Sequence, residues 1–551
     1  MKIILNSFQI LSFQSLLFVI ITTANFPLLV HAEIPLFTLE LTPSMDLIYH
    51  PVSTNSKEAQ HNFDQGLTHI FAFNHDLAFR KFEKASQIDP NLAMAYWGMA
   101  LALGQNINMD VTPENELRAY DLSQKALKLI SSASESEQAY IKALKTRYTN
   151  VPGADLISLR YIYREAMKKV TEKYSEDLDA ATLYAESILD LDPWKYWTWD
   201  GKPKDGTLEA THVLSSVLKR NPYHVGANHY SIHIWEGSQT PERALLSAER
   251  LTALLPGSGH LLHMPSHIFL LVGDYEKAIQ TSLKAIEVDK RYIAENEKDE
   301  FRDAHHYLAH NYYVLIRSYM LHEDYDNAIR TAMEQNHYLR PYFESKPDIS
   351  QFSIIPLEVY LYFHKWNEIL QFKLPRTQSP YADAYWHFCR SLAYLKMGDF
   401  ESAQKEKVAM NQIKPYITDN ELISGSPSTK VFYVAELVLN AAFNETQNQQ
   451  AEVIENLSKA VDAQDRLEYN EPPSWYYPIR AQLGKAFLKQ KRYSEANHVF
   501  KTGLKQLQRN GRLLLGLTLS LKGQNRDWDA YWAQREAAAA LGTHSLTIDD
   551  L

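Results

Sequence analysis

Apolar residues recur every three or four positions along most of the chain, which is the spacing of one face of an α-helix. Between 112 and 190 the pattern is clear in ENELRAYDLSQKALKLI, SESEQAYIKALKTRY and LISLRYIYREAMKKVTEKY, where charged residues occupy the remaining positions. Strand-like alternation of apolar and polar residues is absent. The hydrophobic pattern therefore predicts an all-α protein made of amphipathic helices.

A spacing of 34 residues relates two histidine-bearing stretches in the middle of the chain. His229 and His233 lie in NPYHVGANHYSIHIWE, and His263 and His267 lie 34 positions later in GHLLHMPSHIFLLV. The same offset relates a proline and an alanine of the first unit to a proline and an alanine of the second. Thirty-four residues is the length of one tetratricopeptide repeat, a helix–turn–helix unit. The offset therefore indicates two adjacent repeats with histidine pairs at equivalent positions.

Further repeat signatures extend this interpretation to most of the chain. The first is formed by Gly66, Ala78, Phe82, Ala85 and Pro90, which have the spacing of the small, aromatic and closing proline positions of a tetratricopeptide repeat. Small residues allow two helices to approach closely, and a proline ends the second helix. We therefore predict an all-α, right-handed superhelical tetratricopeptide-repeat (TPR) solenoid of antiparallel helix pairs.

The predicted organisation has six segments. Residues 1–32 are a signal peptide, and residues 33–58 are an extended lead-in without helical periodicity. The repeat array comprises N-terminal TPR-like helices at 59–204, His-rich TPR repeats with a candidate metal or ligand groove at 205–345, and C-terminal TPR-like repeats at 346–540. Residues 541–551 are predicted to form a flexible tail.

The N-terminus has the pattern of a secretory signal peptide. An apolar run follows Lys2, and Val30-His31-Ala32 has the small-x-small form of a signal-peptidase site. The run is interrupted by polar residues and is short for a membrane-spanning helix. We therefore expect cleavage after Ala32, export to the periplasm or the medium, and no stable membrane insertion of the mature protein.

Composition narrows the classes of partner and site. The net charge of −10 and the pI near 6.1 argue against a nucleic-acid partner. Cys389 is the only cysteine, so the chain can form neither an internal disulfide nor a cysteine metal cluster. Phosphate-loop, dinucleotide-binding and nucleophile-elbow motifs are absent from the sequence, so we expect no nucleotide cofactor.

The two histidine pairs are the main candidates for chemistry. Side chains four residues apart share one face of a helix, and neighbouring helices pack about 8–10 Å apart, so we expect the pairs to converge in the concave groove of the solenoid. Imidazole nitrogens suit Zn or Cu, whereas Ca and Mg prefer oxygen ligands. The sequence therefore predicts that His229, His233, His263 and His267 bind one divalent ion.

Other polar residues are candidates for supporting roles. Those that could complete or support the coordination of the ion are His260, His310 and Glu236. Those that could line the same groove are His224, Asn228, Glu186, Trp475 and Arg480. The alternative interpretation of Glu186 is a surface carboxylate. Trp475 and Arg480 lie in NEPPSWYYPIR, whose two prolines are also typical of a stiff segment that leads into a helix.

The chain resembles a group of bacterial exported or soluble TPR proteins. The resemblance is carried by NPYHVGANHYSIHIWE, GHLLHMPSHIFLLVGDYEKAI, YAESILDLDPWKYWTWDGKP and YNEPPSWYYPIR, and it spans most of residues 61–490. It implies the solenoid fold and the His-rich groove, and it implies no particular activity. The chain departs from the group at Tyr312-Tyr313, where a further histidine is common, and this departure argues against His310 as a ligand.

These patterns support two main functional hypotheses. The first is an exported TPR protein whose His-rich groove binds Zn or Cu, with or without catalysis by the bound metal. The second is a metal-free TPR scaffold that binds a peptide or protein in the concave groove. A general acid–base role of the histidines is a third interpretation. The fold does not distinguish between them, because one fold supports many functions.

Overall fold

The computed structural model describes residues 48–295, 303–542 and 544–551. The predicted signal peptide, 1–32, and residues 33–47 of the predicted lead-in lie outside the described residues. The remainder of the lead-in, 48–56, forms no helix and runs directly into the first helix.

Most of the described residues are in α-helices, which we number in chain order. These are α1 (Lys57–Phe71), α2 (His75–Ile88), α3 (Ala93–Ala102), α4 (Pro113–Lys128), α5 (Glu135–Leu144), α6 (Leu156–Lys173), α7 (Leu178–Leu189), α8 (Thr207–Arg220), α9 (Val225–Glu236), α10 (Leu245–Leu254), α11 (Gly259–Val272), α12 (Tyr275–Glu295), α13 (Asp303–Leu321), α14 (Tyr325–Leu339), α15 (Pro347–Ser350), α16 (Ile355–Tyr362), α17 (Trp366–Gln371), α18 (Pro380–Lys396), α19 (Phe400–Ile413), α20 (Ser428–Thr446), α21 (Gln450–Gln464), α22 (Ile479–Lys489), α23 (Tyr493–Gln506), α24 (Gly511–Gly523) and α25 (Asp527–Leu541). Two short strands, β1 (Leu422–Ile423) and β2 (Ser426–Pro427), pair antiparallel.

Consecutive helices pack as antiparallel pairs along the chain, for example α1 with α2, α11 with α12 and α18 with α19. The repeat signature explains the packing at the first pair. Phe82 of α2 is fully buried, and a Cβ atom added to Gly66 of α1 would lie 2.7 Å from its ring. A larger residue at Gly66 would therefore push the two helices apart. Phe500 has the same relation to Gly484 and Gly516 in the C-terminal repeats. The prediction of an all-α TPR superhelix of antiparallel helix pairs is confirmed, and the segment boundaries at 204 and 345 stay predictions.

The C-terminal repeats return to the His-bearing repeats and cover part of their concave side. The backbone N–H of Gln508 donates to the carbonyl oxygen of Leu271 at the end of α11, over 3.0 Å. Arg512 of α24 forms a buried ion pair with Glu323, which follows α13, at 2.7 Å. Residues of the His-bearing repeats and of the C-terminal repeats together line one cavity.

The last residues contact the body of the protein, and the predicted flexibility of 541–551 stays a prediction. Ile548–Asp550 form a short 3-10 helix, and Leu551 is only 2% exposed. The carbonyl oxygen of Asp550 accepts a hydrogen bond from Nη1 of Arg512, over 2.7 Å. This contact and the burial of Leu551 hold 548–551 against α24. Within the described residues, no helix combines the length and the apolar character that a membrane crossing requires.

Candidate metal centre

Three helices carry the histidines of the candidate centre. The histidines are His229 and His233 on α9, His260, His263 and His267 on α11, and His310 on α13. Almost every residue of α9 and α11 is buried, so these two helices present no polar face to solvent. A polar side chain on such a helix is stable only if it finds a partner in the interior. The ring nitrogens therefore need binding partners inside the protein.

The first histidine triad consists of His229, His233 and His260. The Nε2 atom of His229 lies 3.1 Å from Nε2 of His233 and 3.1 Å from Nε2 of His260. The three residues are buried, with exposed fractions of 0, 1 and 7%. Three imidazole nitrogens therefore converge on one point in the interior.

The second histidine triad consists of His263, His267 and His310. Each residue offers one ring nitrogen, and these three atoms lie within 4.8 Å of one another. Both ring nitrogens of His263 and Nε2 of His267 are buried and have no hydrogen-bond partner among the described residues. His310 is only partly buried. The second triad is therefore closer to solvent than the first.

The structure corrects the predicted grouping of the histidines. It places the pair on α9 with His260 and the pair on α11 with His310, in two separate groups of converging ligand atoms. The structure also places His310 in a triad, against the argument from Tyr312-Tyr313. The two tyrosines donate their hydroxyls to Glu334 and Glu358, and they do not compete for the site.

Glu236 connects the two triads. Its Oε1 atom lies 2.9 Å from Nδ1 of His233, and its Oε2 atom lies 2.6 Å from Nδ1 of His267. The Nδ1 atom of His229 donates to the carbonyl oxygen of Phe71 over 2.8 Å. Metal-binding histidines are commonly oriented by such hydrogen bonds from the second ring nitrogen. Glu236 thus contacts one histidine of each triad, and its role in supporting a metal ion stays a prediction.

Burial favours the neutral form of these imidazoles. It lowers the pKa of His229 to about 3 and the pKa values of His233 and His267 to about 4. It lowers the pKa values of the other three histidines well below the ordinary range, and the neighbouring histidines add to this effect. Burial also raises the pKa of Glu236, against the hydrogen bond from His233. A neutral imidazole is the form that binds a metal ion.

Two residues predicted to line the groove stabilise the start of α9. Asn228 donates its Nδ2 to the carbonyl oxygens of Pro222 and His224, in each case over 2.9 Å. His224 is the N-cap residue of α9, and its Nδ1 accepts from the N–H of Ala227. Its Nε2 lies 3.2 Å from Oδ1 of Asp179. Nδ2 of Asn228 and both ring nitrogens of His224 are occupied by backbone and carboxylate groups, whereas Oδ1 of Asn228 has no partner among the described residues, and the groove position of both residues stays a prediction.

Glu186 also lies outside both triads. It is 5% exposed, so it is neither a surface carboxylate nor a residue of an open groove. Burial and the negative charge of Asp190 raise its pKa, and the positive charge of Arg147 opposes this shift. Glu186 therefore belongs to a separate buried polar cluster on α7.

A third group of possible metal ligands already forms hydrogen bonds and ion pairs with other side chains. His50, Asp177 and Asp179 place ligand atoms within 4.8 Å of one another. Nδ1 of His50 lies 2.8 Å from Oδ2 of Asp179, and the hydroxyl of Tyr140 donates to Oδ2 of Asp177 over 2.8 Å. His224 contacts the other oxygen of Asp179. We refer to His50, Asp177, Asp179 and His224 as the paired cluster.

Aromatic rings enclose the first triad. The ring of Phe73 lies 4.5 Å from that of His229 and stacks on those of His233 and His260, each at 5.6 Å between centroids. Trp194 meets His233 edge-on at 5.2 Å. These rings keep water away from the three nitrogens. The concentration of tryptophans in DPWKYWTWDGKP could have indicated from the sequence that Trp194 lies at a site. No sequence pattern indicates that Phe73 does.

A cavity of about 530 Å³ adjoins the centre and reaches it at Glu236. Trp475 and Arg480, which were predicted to line the groove, lie in the wall of this cavity. Arg480 is paired with Asp465 at 2.6 Å. Glu471 from the same NEPPSWYYPIR segment also lines the cavity, and burial raises its pKa to about 7.

No family model and no curated protein matches the chain. Among solved structures, it is similar to the APC/C hetero-tetramer Cut9–Hcn1, with 13% identity and a TM-score of 0.30, over 89% of this chain and 75% of that chain. It is similar to the human IFIT1 dimer with m7Gppp-AAAA, with 13% identity and a TM-score of 0.31, over 89% and 91%. It is also similar to yeast Tom70, with 12% identity and a TM-score of 0.30, over 87% and 90%. Similarity at this level gives no information on function.

Proposed function

We propose that this chain is a metal-binding TPR protein that holds two transition-metal ions, one in each histidine triad. The ligand atoms are all imidazole nitrogens, which suit Zn or Cu and do not suit Ca or Mg. The centre contains six histidines from three helices, with Glu236 as the residue that orients one histidine of each triad.

The observation that carries this proposal is the arrangement of nitrogens in the first triad. The carbonyl oxygen of Phe71 can only accept a hydrogen bond, so Nδ1 of neutral His229 carries the proton and Nε2 presents a lone pair. An ionised Glu236 fixes the same tautomer in His233. Two lone pairs then face each other over 3.1 Å, and they repel unless a cation lies between them.

The distances also fit a metal ion. Tetrahedral coordination with bonds of about 2.0–2.1 Å separates the ligand nitrogens by roughly 3.3 Å. The separations of 3.1 Å from His229 to His233 and to His260 are close to this value. In the second triad the support comes from unsatisfied ligand atoms. The buried ring nitrogens of His263 have no hydrogen-bond partner among the described residues, and a metal ion would bind one of them.

Three protein ligands leave one position open on a four-coordinate ion. A zinc ion held in this way supplies an acidic bound water molecule or polarises a substrate oxygen. The chain itself orients the ligands through Glu236 and the Phe71 carbonyl group. Phe73 and Trp194 exclude bulk water from the first triad, whereas His310 leaves the second triad closer to solvent. We propose that any reaction takes place at the second triad and that the first is the more enclosed site.

Export is part of the same proposal and rests on the N-terminal sequence alone. A cleaved signal peptide would deliver the protein to a compartment in which it competes for metal outside the cytoplasm. N-terminal sequencing of protein from the exported fraction should give Glu33 as the first residue. An intact Met1 in a membrane fraction would contradict export.

Metal stoichiometry tests the proposal. Protein purified from its own host should contain close to two Zn or Cu ions per chain by elemental analysis. His233→Ala should leave one ion and His263→Ala should leave one, whereas the double variant should contain none at unchanged helicity. His224→Ala is the matched control, since it removes a buried histidine that caps α9 and lies outside the triads. Equal metal content in the wild type and the double variant would leave a metal-free scaffold that binds a peptide or protein as the better account.

A further inference from the structure

The cavity beside the triads has the size of a small-molecule site. Its volume of about 530 Å³ lies within the range of ligand pockets, which is about 300–1,000 Å³. Leu270 and Leu271 of α11 form one side, and the segment around Trp475 and Tyr476 forms another. Trp199, which is 48% exposed, lies at the rim and marks an opening to solvent.

Arg317 is a buried cation in the wall of this cavity. It is 6% exposed, and its Nη1 atom has no hydrogen-bond partner among the described residues. Its guanidinium lies over the ring of Tyr476, 4.2 Å from the centroid. No carboxylate of the described residues forms an ion pair with it within 4.0 Å. The other two arginines of the cavity wall do have such partners, since Arg480 pairs with Asp465 and Arg512 pairs with Glu323.

A second unpartnered donor lines the same cavity. Trp475 is 3% exposed, and its Nε1–H has no hydrogen-bond acceptor among the described residues. Burying a guanidinium N–H and an indole N–H without hydrogen-bond acceptors is costly, even though the charge of Arg317 acts on Glu358 and Glu471. A ligand that brings acceptor oxygens and a negative charge would satisfy both Arg317 and Trp475.

The surroundings favour a single negative charge on that ligand. Glu236 and Glu471 lie in the cavity wall and would repel a doubly charged phosphate. The leucine and aromatic side chains of the wall suit an apolar body. Arg317 lies seven residues after His310 on α13, which is about 10 Å along the helix, so a small molecule could extend from the guanidinium toward the second triad.

We propose that the cavity binds a small organic monocarboxylate with an apolar or aromatic body, and that Arg317 and Trp475 bind its carboxylate group. A guanidinium and an indole N–H provide charge-assisted hydrogen bonds to carboxylate oxygens. The apolar body lies against Leu270, Leu271 and the aromatic wall. The site goes beyond the metal-binding function and does not require either ion.

The test uses 3-phenylpropionate, indole-3-acetate and hexanoate as probes, with 3-phenylpropionamide as the neutral counterpart of the first. Isothermal titration calorimetry of the full mature chain should detect at least one acid at millimolar concentration. The corresponding amide should bind at least about tenfold more weakly, because a neutral amide does not form the charge-assisted hydrogen bonds that a carboxylate forms with a guanidinium.

Substitutions separate the carboxylate site from general electrostatics. Arg317→Gln should weaken binding of the acid about tenfold to hundredfold and leave binding of the amide unchanged. Trp475→Phe, which keeps an aromatic ring in place, should weaken binding of the acid about fivefold to tenfold and serves if Arg317→Gln fails to fold. Lys195→Gln at the exposed rim is the matched control and should change binding of the acid less than twofold.

Three outcomes would overturn the carboxylate site: no binding of any probe acid by the wild type, equal affinity for the acid and its amide, or wild-type affinity in both the Arg317 and the Trp475 variants. Failure of this site is distinguishable from failure of the metal centre. Arg317→Gln should retain two metal ions per chain. The His233→Ala/His263→Ala variant should lose both ions and still bind the acid.

Discussion

The protein contains two kinds of histidine cluster in which the possible ligand atoms lie at similar distances from one another. In the paired cluster and in both histidine triads, three possible ligand atoms lie within 4.8 Å of one another. In the paired cluster a carboxylate faces each histidine, and Asp179 contacts both His50 and His224. In the first triad the nitrogen of one histidine faces the nitrogens of two others.

The difference lies in what the polar groups already bind. The paired cluster is complete without an ion, because its opposite charges and hydrogen bonds satisfy one another. The pKa of Asp179 is held well below its usual range: burial raises it, but the hydrogen bonds and charges of His50 and His224 more than offset burial. In the triads burial suppresses protonation, so the imidazoles remain neutral; the Nε2 atoms of the first triad face only one another, and both ring nitrogens of His263 have no partner among the described residues. Proximity of ligand residues is therefore a weaker indication of a metal site than nitrogens without partners.

The largest expected effect is the acid sensitivity of the metal-free protein. The folded-state pKa values of the triad histidines are lowered to about 3 or 4 or further, so the unfolded chain takes up protons below about pH 6.5 that the folded chain does not. The free energy of unfolding should fall as pH drops from about 6.5 toward 4, by up to about 1.4 kcal/mol per pH unit for each such histidine. Urea unfolding in the presence of a chelator measures this loss.

The paired cluster gives the opposite sign and serves as the comparison. Burial lowers the pKa of His50, but the hydrogen bond and charge of Asp179 outweigh burial and raise it. Its contribution to stability is therefore present below about pH 6.5 and is lost as pH rises through the raised value. Replacing the three histidines of the first triad by Gln should reduce the acid sensitivity, whereas His50→Gln should not. An acid sensitivity that is unchanged by the triad substitutions would contradict the assignment of neutral imidazoles.

The next largest effect is expected from breaking the paired cluster. Asp179→Asn removes the charge that His50 and His224 share, and breaking a largely buried ion pair should lower the free energy of unfolding by about 2–3 kcal/mol. The metal content should not change. Urea unfolding and elemental analysis of the same preparation check both statements. Asp200→Asn, which breaks an exposed pair with Lys202, is the control and should change stability by less than about 1 kcal/mol. Loss of metal from the Asp179 variant would show that the two kinds of cluster are not independent.

A smaller effect is expected from the residue that connects the triads. Glu236→Gln keeps the size of the side chain. A glutamine amide has only one oxygen, so it cannot accept hydrogen bonds from Nδ1–H of His233 and of His267 through separate oxygens, as the carboxylate does. The affinity for metal should fall about 10- to 100-fold at both triads, as for other residues that orient metal ligands. Competition with a chromophoric chelator measures both sites. Glu249→Gln on the surface of α10 is the control for the loss of one carboxylate. A loss confined to one triad would contradict the shared role of Glu236.

The sequence predicted the fold well because the fold depends on local spacing. Gly66 and Phe82 have the spacing at which two helices pack closely, and the structure shows that contact. The 34-residue offset likewise placed the histidine pairs on equivalent helices. These features need only the residues of one or two neighbouring repeats.

The sequence did not predict the division of the centre into two triads. His260 joins His229 and His233 rather than its neighbours on α11, and this depends on how α9 and α11 cross. The hydrogen bond from His229 to the Phe71 carbonyl group spans 158 positions of the chain and leaves no local pattern. The cavity likewise depends on the distant contact between Gln508 and α11. Such contacts are set by the curvature of the whole array, which periodicity does not specify.

The most direct test of the central claim is anomalous X-ray diffraction from crystals of the zinc-loaded protein at the zinc absorption edge. The account predicts two anomalous peaks per chain, one about 2.0–2.1 Å from a ring nitrogen of each of His229, His233 and His260 and one at the same distance from His263, His267 and His310. It predicts no peak in the paired cluster around Asp179. A single peak shared by the histidine pairs of α9 and α11, or a peak in the paired cluster with empty triads, would contradict it.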